Sequence, residues 1–441
     1  MRVRFWGTRG SIATPGPGTN HFGGNTSCVE LTTDSGALLI FDCGTGARPL
    51  AADLRARGTQ PIHANILLGH THWDHIQGFP FFTTAFQQDN SVAIYGPEGS
   101  RGSLREVLAG QMEYTYFPIE LNQLPAKITS HDLTEGIHTI SGVRVTTQYL
   151  HHPAMTLGYR VEADGVAVVY LVDHEPFSDQ LWKANAEPGR LASILHEGDR
   201  RHAKFMANAD LVIHDAQYTP EEYVSKKTWG HSTYEYAVEL AAAAGVTQLA
   251  LTHHDPDHHD QFVSDIEARA RALASQRGTS LDVLCAYEGC ELLLKPQPSF
   301  TPFVTSDPFQ ASVSQRSFRI LVVDDEPDIR TMTVLALKQD QHQVSEADSG
   351  PEALRMIAEH RPDLVVVDFK MPGMDGMEVV TILRAQSETR HLPILMLTAM
   401  TDEASTRAGF EAGVTDYVTK PFSIPQLTSR VRACLSRATL G

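Results

Sequence analysis

The stretch His70-Thr71-His72-Trp73-Asp74-His75 decides how the first two-thirds of this chain is read. It follows Ala64-Asn65-Ile66-Leu67-Leu68-Gly69, an apolar run that reads as a buried strand. Side chains able to ligate a metal therefore begin where the strand ends. His70 and His72 are two residues apart, so in extended backbone they can converge on one cation. Asp74 and His75 follow at once and can serve a second cation beside it. Imidazole and carboxylate are ligands that suit zinc and similar ions. A polar loop with chance histidines would rarely place four such side chains in six positions directly after an apolar strand.

The same arrangement recurs down the chain. Val143–Tyr149 is strand-like and ends at His151-His152-Pro153. Val166–Val172 is a continuous apolar strand ending at Asp173. Ala209–Ala216 is apolar and carries Asp215, with His231-Ser232-Thr233 beginning 16 residues further on. Leu249–Thr252 ends at His253-His254. His258 and His259 lie in a polar loop and read as solvated. Upstream, the loop from Gly7 to Gly18 is rich in Gly and Pro. Arg9 in it and Asn25 beyond it can either bind substrate or hold the loop.

With these residues in order, the chain resembles the metallo-β-lactamase superfamily of hydrolases, whose signature is His-x-His-x-Asp-His. A glutamate in place of His72 would suggest a diiron redox branch; histidine favours a hydrolytic dinuclear site. The resemblance covers residues 1–295 and implies a four-layer αβ/βα sandwich, with ligands on loops along one edge of two packed sheets. It further implies two divalent metal ions, zinc or alternatively manganese or iron. His70, His72 and His152 would hold one and Asp74, His75 and His253 the other, with Asp173 bridging. His151 stays open as the alternative to His152, and His254 is expected beside the site rather than in it. Asp74 also stands with the catalytic residues. Asp215 and His231 resemble the acid–histidine pair of phosphodiesterase members such as ribonuclease Z, where the histidine donates a hydrogen bond or proton near the scissile phosphate. The family's acid is often glutamate, one methylene longer, and a helix cap at His231-Ser232-Thr233 is the plainer reading of this pair. Ribonuclease Z carries a tRNA-gripping arm between the third histidine motif and the bridging aspartate. Here His152 and Asp173 are only 21 residues apart, which leaves room for two strands and a turn. That favours a small phosphodiester, such as a cyclic nucleotide, over tRNA.

Length and charge fit this division. A chain of 441 residues is long for one domain. Of the net charge of −17, residues 1–298 contribute −12 and residues 299–441 contribute −5. Neither part has the clustered Lys and Arg of a general nucleic-acid binder, so no DNA partner is expected. Of the 21 histidines, 18 precede residue 299, which places imidazole chemistry in the first part. The five cysteines form no CxxC pair and read as buried free thiols in a reducing cytoplasm. No run approaches a membrane span, and the N-terminus has no apolar signal core.

After Lys295 the composition changes. Residues 296–317 are rich in Pro, Ser, Thr and Gln and read as a linker. Phe318–Val323 is then a buried strand ending in Asp324-Asp325-Glu326-Pro327. Leu364–Val367 ends in Asp368, Ile394–Leu397 in Thr398, and Asp416–Val418 precedes Thr419-Lys420-Pro421. Helical patterns between the strands predict a parallel doubly wound sheet with its site at the carboxyl ends. Residues 318–441 resemble the receiver domain of two-component response regulators, a flavodoxin-like (βα)5 fold. The resemblance implies Mg²⁺ on Asp324, Asp325 and Asp368, with Asp368 as the phosphoacceptor. It makes Thr398, Tyr417 and Lys420 the switch residues, and a sensor histidine kinase or phosphotransfer protein the partner.

The sequence thus predicts an α/β protein: a response regulator whose output is a dinuclear-metal phosphodiesterase under control of Asp368. Two alternatives stand beside it. One is hydrolysis of another bond, a lactone, thioester or β-lactam. The other is a non-catalytic signalling scaffold. A homodimer is left open.

Overall fold

The computed structural model describes residues 1–58, 61–97, 103–183, 189–296, 303, 317–339, 341–398, 413–420, 422, 427–428, 430–432 and 434–435. The chain divides into two compact units, the first built from Met1–Gly99 and Ser103–Pro302, the second essentially from Phe303–Gly441. The expected linker falls almost wholly outside the described residues.

In the first unit the strands run in chain order β1 Arg2–Gly7, β2 Cys28–Thr32, β3 Leu38–Phe41, β4 His63–Leu67, β5 Ser91–Pro97 and β6 Lys127–Leu133. They continue with β7 Gly136–Ile140, β8 Val143–Tyr149, β9 Leu157–Ala163, β10 Val166–Leu171, β11 Leu211–Asp215, β12 Gln248–Thr252, β13 Asp282–Cys285 and β14 Glu291–Leu293. They form two seven-stranded mixed sheets, ordered β14-β1-β2-β3-β4-β5-β6 and β13-β12-β11-β10-β9-β8-β7. The helices are α1 Ala47–Ala56, α2 Trp73–Ile76, α3 Leu104–Gly110, α4 Glu197–Phe205, α5 Pro220–Tyr223, α6 Tyr234–Ala243 and α7 Asp260–Gln276.

Alternation along the strands builds the layers. In β3, Leu38 and Ile40 join Leu50 and Leu54 of α1 in one core, together with Ile66 and Ile94. Phe41 faces the other way and stacks on Tyr170 of β10, ring centroids 4.8 Å apart. The Tyr159 hydroxyl of β9 donates to the Leu68 carbonyl at 2.6 Å. A strand buried on both faces reads as an unbroken apolar run. Helices α6 and α7 pack against the β11–β13 side of the second sheet. The order is helix, sheet, sheet, helix: the four-layer sandwich that the resemblance implied. Between residues 101 and 130, α3 and the short turn Leu121–Gln123 are helical among the described residues.

The second unit contains β15 Arg319–Val323, β16 Gln343–Ala347, β17 Leu364–Asp368, β18 Ile394–Thr398 and β19 Asp416–Thr419, with α8 Pro327–Gln339, α9 Gly350–His360 and α10 Gly376–Ala385. All four strand pairings are parallel, in the order β16-β15-β17-β18-β19. Ile320, Val322, Val366 and Leu397 pack into one core with Leu337. Leu321, Val323, Val365 and Met396 pack into the other with Ile357 and Leu383. This is the doubly wound flavodoxin-like sheet, whose ligands sit beyond the carboxyl ends of its strands.

Candidate metal centre and phosphoacceptor site

The site of the first unit lies where strands of both sheets end. After β4 the chain gives His70 and His72, then turns into α2, which carries Asp74 and His75 one step apart. After β8 comes His152, after β10 Asp173, and after β12 His253. Asp173 and His253 take positive φ, 64° and 62°. A left-handed residue at a strand end reverses the chain abruptly, and such strained conformations persist only where the surroundings enforce them.

The structure brings all seven of these side chains together, in three overlapping groups of candidate ligand atoms. Asp173 divides them. Its Oδ2 lies 3.3 Å from His70 Nε2 and 3.5 Å from His152 Nε2. Its Oδ1 lies 3.4 Å from His75 Nε2 and 3.1 Å from His253 Nε2. His72 Nδ1 is 3.5 Å from His152 Nε2. Asp74 Oδ2 is 3.2 Å from both His75 Nε2 and His253 Nε2. His151 turns away, stacks on Phe177 and meets the Glu175 carbonyl through Nδ1.

Several of these atoms are buried without a hydrogen-bond partner among the described residues: both ring nitrogens of His70, His75 Nε2 and Asp173 Oδ1. An unsatisfied buried polar atom costs free energy, and here the orphans converge. Burial lowers the His70 pKa well below the ordinary value, with His72 and His75 adding to the effect. Burial likewise takes His152 down to about 3. Both are therefore neutral imidazoles, the form that ligates a metal. Burial opposes ionisation of Asp173, but the surrounding histidines, His253 and His75 foremost, outweigh it and keep the carboxylate charged. This donor set fits two divalent cations on either side of Asp173.

The ligands are held from outside. His75 Nδ1 bonds to Asp42 Oδ2 at 2.7 Å, and the same oxygen accepts from the Tyr170 hydroxyl at 2.6 Å. His152 Nδ1 donates to the Gly230 carbonyl at 2.9 Å, and His253 Nδ1 to Gln217 Oε1 at 3.0 Å. The Ser11 N–H donates to Asp74 Oδ2 at 2.8 Å. Such partners fix tautomer and ring orientation. Sequence reading missed Asp42, Gln217 and Gly230. Asp42 had a signal, since it too ends an apolar strand; the other two had none.

Asp215 ends β11, and its Oδ2 accepts from His231 Nδ1 at 2.8 Å. Burial disfavours the imidazolium, but Asp215 and then Asp173 overcome it and raise the His231 pKa to about 9. Thr233, not His231, caps α6, accepting from the Tyr236 N–H. Asp215 Oδ1 also accepts from the Gln217 N–H at 3.0 Å, so the acid both pairs with His231 and shapes its own turn.

Some expectations need correcting. His258 is buried, not solvated, and bonds to Glu222 Oε1 at 2.8 Å. His259 is exposed and caps α7. His254 faces away from the centre toward the Ala286 carbonyl. Arg9 is fully buried and donates to the carbonyls of Gly23, Asp255 and His258, while Asn25 bonds to Glu288. Both hold loops together.

In the second unit, Asp324, Asp325 and Asp368 gather at the ends of β15 and β17. Lys420 Nζ lies 2.8 Å from Asp324 Oδ2 and 2.6 Å from Asp368 Oδ1. Burial, with Asp324 nearby, raises the Asp368 pKa despite the lysine. Thr398 ends β18 and is buried, and Tyr417 lies in the neighbouring β19.

Comparison with known proteins agrees with this division. The family described as the Beta-lactamase superfamily domain matches residues 38–254, and the response regulator receiver domain matches residues 320–432. The DNA-binding response regulator MtrA of Mycolicibacterium smegmatis is 44% identical over 119 residues, 27% of this chain and 51% of that protein. The chain spans about half the length of the curated relatives it matches. Vibrio cholerae chemotaxis protein CheY4 is 34% identical over 26% of this chain and 97% of its own, with a TM-score of 0.26. The metallo-β-lactamase fold protein YhfI of Bacillus subtilis is 20% identical over 66% of this chain and 99% of its own, with a TM-score of 0.47. Among the described residues, no helix is long and apolar enough to cross a membrane. The chain thus joins a stretch that matches a Beta-lactamase superfamily domain to one that matches a response regulator receiver domain.

Proposed function

We propose that the first unit is a dinuclear metal-dependent phosphodiesterase acting on a small diester such as a cyclic nucleotide, and that the receiver regulates it. The observation that carries the reading is the Asp215–His231 pair beside the two-cation donor set. A buried imidazole held protonated at neutral pH can hand a proton to the alkoxide that leaves a phosphodiester, and it stands beside the donor set whose cations would take the phosphoryl oxygens, which supports this reading.

His70, His72 and His152 would hold one cation and Asp74, His75 and His253 the other, with Asp173 shared. Two such ions, when bound, supply Lewis acidity toward phosphoryl oxygens and bring the pKa of a coordinated water from about 16 to about 7. They also reconcile an acidic domain with an anionic substrate, since bound cations are the largest local charges in a site. The protein's own part is orientation and proton supply. Asp42 aims His75, Gln217 aims His253, and Asp215 keeps His231 charged and pointed. In the receiver, Asp324, Asp325 and Asp368 would hold Mg²⁺, and Asp368 would take a phosphoryl group from a histidine kinase or phosphotransfer protein, with Lys420 and Thr398 at its oxygens.

The test is turnover by cation-loaded protein of cyclic mononucleotides, cyclic dinucleotides, bis-p-nitrophenyl phosphate, a phosphomonoester, a lactone and a β-lactam. Diesters should be preferred by orders of magnitude. Preference for the lactone or lactam would replace the reading with its alternative, and no turnover of any would favour a scaffold.

A further inference from the structure

Tyr218 lies just past β11, bound edge to edge to the segment that carries His231. Its N–H donates to the Ser232 carbonyl, and its own carbonyl accepts from the Tyr234 N–H. The side chain is 1% exposed, yet no protein group among the described residues bonds to its hydroxyl. A buried hydroxyl without a partner is uncommon enough to call for a cause. The ring stands edge-on to His231, centroids 5.9 Å apart. Burial, with Asp215, Asp255, Asp173 and Glu175 in range, raises the phenol pKa. The hydroxyl therefore remains a donor at all working pH values.

A cation stands next to it. Lys226 Nζ is 5.9 Å from the Tyr218 ring centroid and 4.2 Å from that of Trp229. Among the described residues no carboxylate pairs with Lys226, although its neighbour Lys227 pairs with Asp179. The loop that carries Lys226 is pinned. Glu175, two residues after Asp173, accepts from the Tyr223 hydroxyl and the Thr228 N–H with one oxygen and from the Gly230 N–H with the other. An unspent buried donor thus stands beside His231, and an ammonium without a carboxylate partner among the described residues packs on the same tyrosine ring from the pinned loop.

We propose that the Tyr218 hydroxyl and the Lys226 ammonium form an anion subsite beside His231, which takes a phosphate oxygen of the substrate. The proposal rests on the phosphodiesterase reading for its substrate, but not for its measurement. Tyr218 donates the hydrogen bond that no described residue receives, and Lys226 supplies positive charge beside its ring. Both act by binding, and His231 remains the proton donor.

The experiment compares the full, cation-loaded chain with its Tyr218→Phe and Lys226→Met variants. The probe is inorganic phosphate, titrated by calorimetry, with melting temperature and bis-p-nitrophenyl phosphate kinetics measured in parallel. Phosphate should bind about 10–100-fold more weakly to Tyr218→Phe, the loss expected for a hydrogen bond to a charged acceptor. The melting temperature should hold or rise, because the change removes an unpaired buried polar group. Lys226→Met keeps the aliphatic stem and should also weaken phosphate binding. A lower melting temperature in Tyr218→Phe would make the hydroxyl structural and overturn the proposal. So would unchanged phosphate affinity in either variant. If the wild type binds phosphate but cleaves no diester, the phosphodiesterase reading fails while the subsite is still decided by the titration.

Discussion

The proposed chemistry turns on two residues, Asp173 and His231, and each can be tested alone. The two oxygens of Asp173 face different histidine pairs, so one carboxylate can serve two cations at the roughly 3.5–4 Å separation of two-metal sites. Elemental analysis of reconstituted protein should give two ions in residues 1–295 of the wild type. Asp173→Ala should lower the count and reduce turnover by orders of magnitude, with circular dichroism unchanged. In the proposed reaction His231 would act through its proton. His231→Ala should slow a diester with an alkoxide leaving group far more than one with a nitrophenolate, because the better leaving group needs less protonation. Equal slowing would remove the proton-donor role. Its pKa gives a further handle. In metal-free protein the folded value is about 9, raised above the ordinary value near 6.5. Stabilisation from the His231–Asp215 pair is therefore complete below about pH 6.5 and is lost as pH rises through 9. In chelator-treated protein, the melting-temperature gap between wild type and Asp215→Asn should be full near pH 6 and close on the alkaline side. A gap that widened with pH would contradict the assignment.

At the scale of elements, the site depends on loops tied to strand ends. Glu175 is the main tie on its side, since its carboxylate fixes Tyr223, Thr228 and Gly230, and the Gly230 carbonyl orients His152. Gly230 itself has no substitute: its φ is +89°, and a Cβ there would lie 2.1 Å from His152 Nδ1. Hydrogen bonds to a charged group are worth about 1.5–3 kcal/mol each. Glu175→Ala should therefore cost about 3–5 kcal/mol in denaturant titrations, the range in which losing a buried polar network falls. It should also weaken cation binding by roughly 10–100-fold, as loss of a ligand's outer partner does. Loss of stability with unchanged cation affinity would mean that Gly230 does not act on His152. This layer was the least legible in the sequence. The strands ending in His70, His152, Asp173, Asp215 and His253 could be read because buried strands are continuous apolar runs and their ends carry the chemistry. Glu175, Gln217 and Tyr218 lie in turns whose side chains meet their partners only after folding, so no periodicity marks them. Two edge strands, β6 and β16, were missed for a related reason. In β16, Gln343-Val344-Ser345-Glu346-Ala347 has one covered side and reads as polar, and β6 is largely exposed. His258 was misread because a polar loop in sequence became a covered one in the fold, closed over by Glu222 and Phe262.

At the scale of the whole molecule, the question is whether the receiver's phosphorylation reaches the hydrolase. The receiver has the parts for its own chemistry: three acids at two strand ends, Lys420 between Asp324 and Asp368, and Thr398 at the end of the adjacent strand. Phosphorylation of Asp368 would add charge where Lys420 now bridges two carboxylates, so the lysine and the β18–β19 edge that bears Thr398 and Tyr417 are the elements it would rearrange. A modification acts at a distance only by biasing an element with two arrangements, and the coupling is a free energy of about 1–3 kcal/mol, or roughly 5–150-fold in binding or population. The measurement is diester turnover by the full chain with Mg²⁺, with and without beryllofluoride, at limiting and saturating substrate, with sedimentation run in parallel. Either kcat, KM or the oligomeric state should move by at least a few-fold. Asp368→Asn should abolish the response while leaving basal turnover intact, because Asp368 belongs to the second unit and none of its atoms enters the metal centre. Lys420→Ala should blunt the response without removing the acceptor. If beryllofluoride changes none of the three quantities, the receiver does not regulate the hydrolase it is joined to, and its phosphorylation must instead govern binding to another protein.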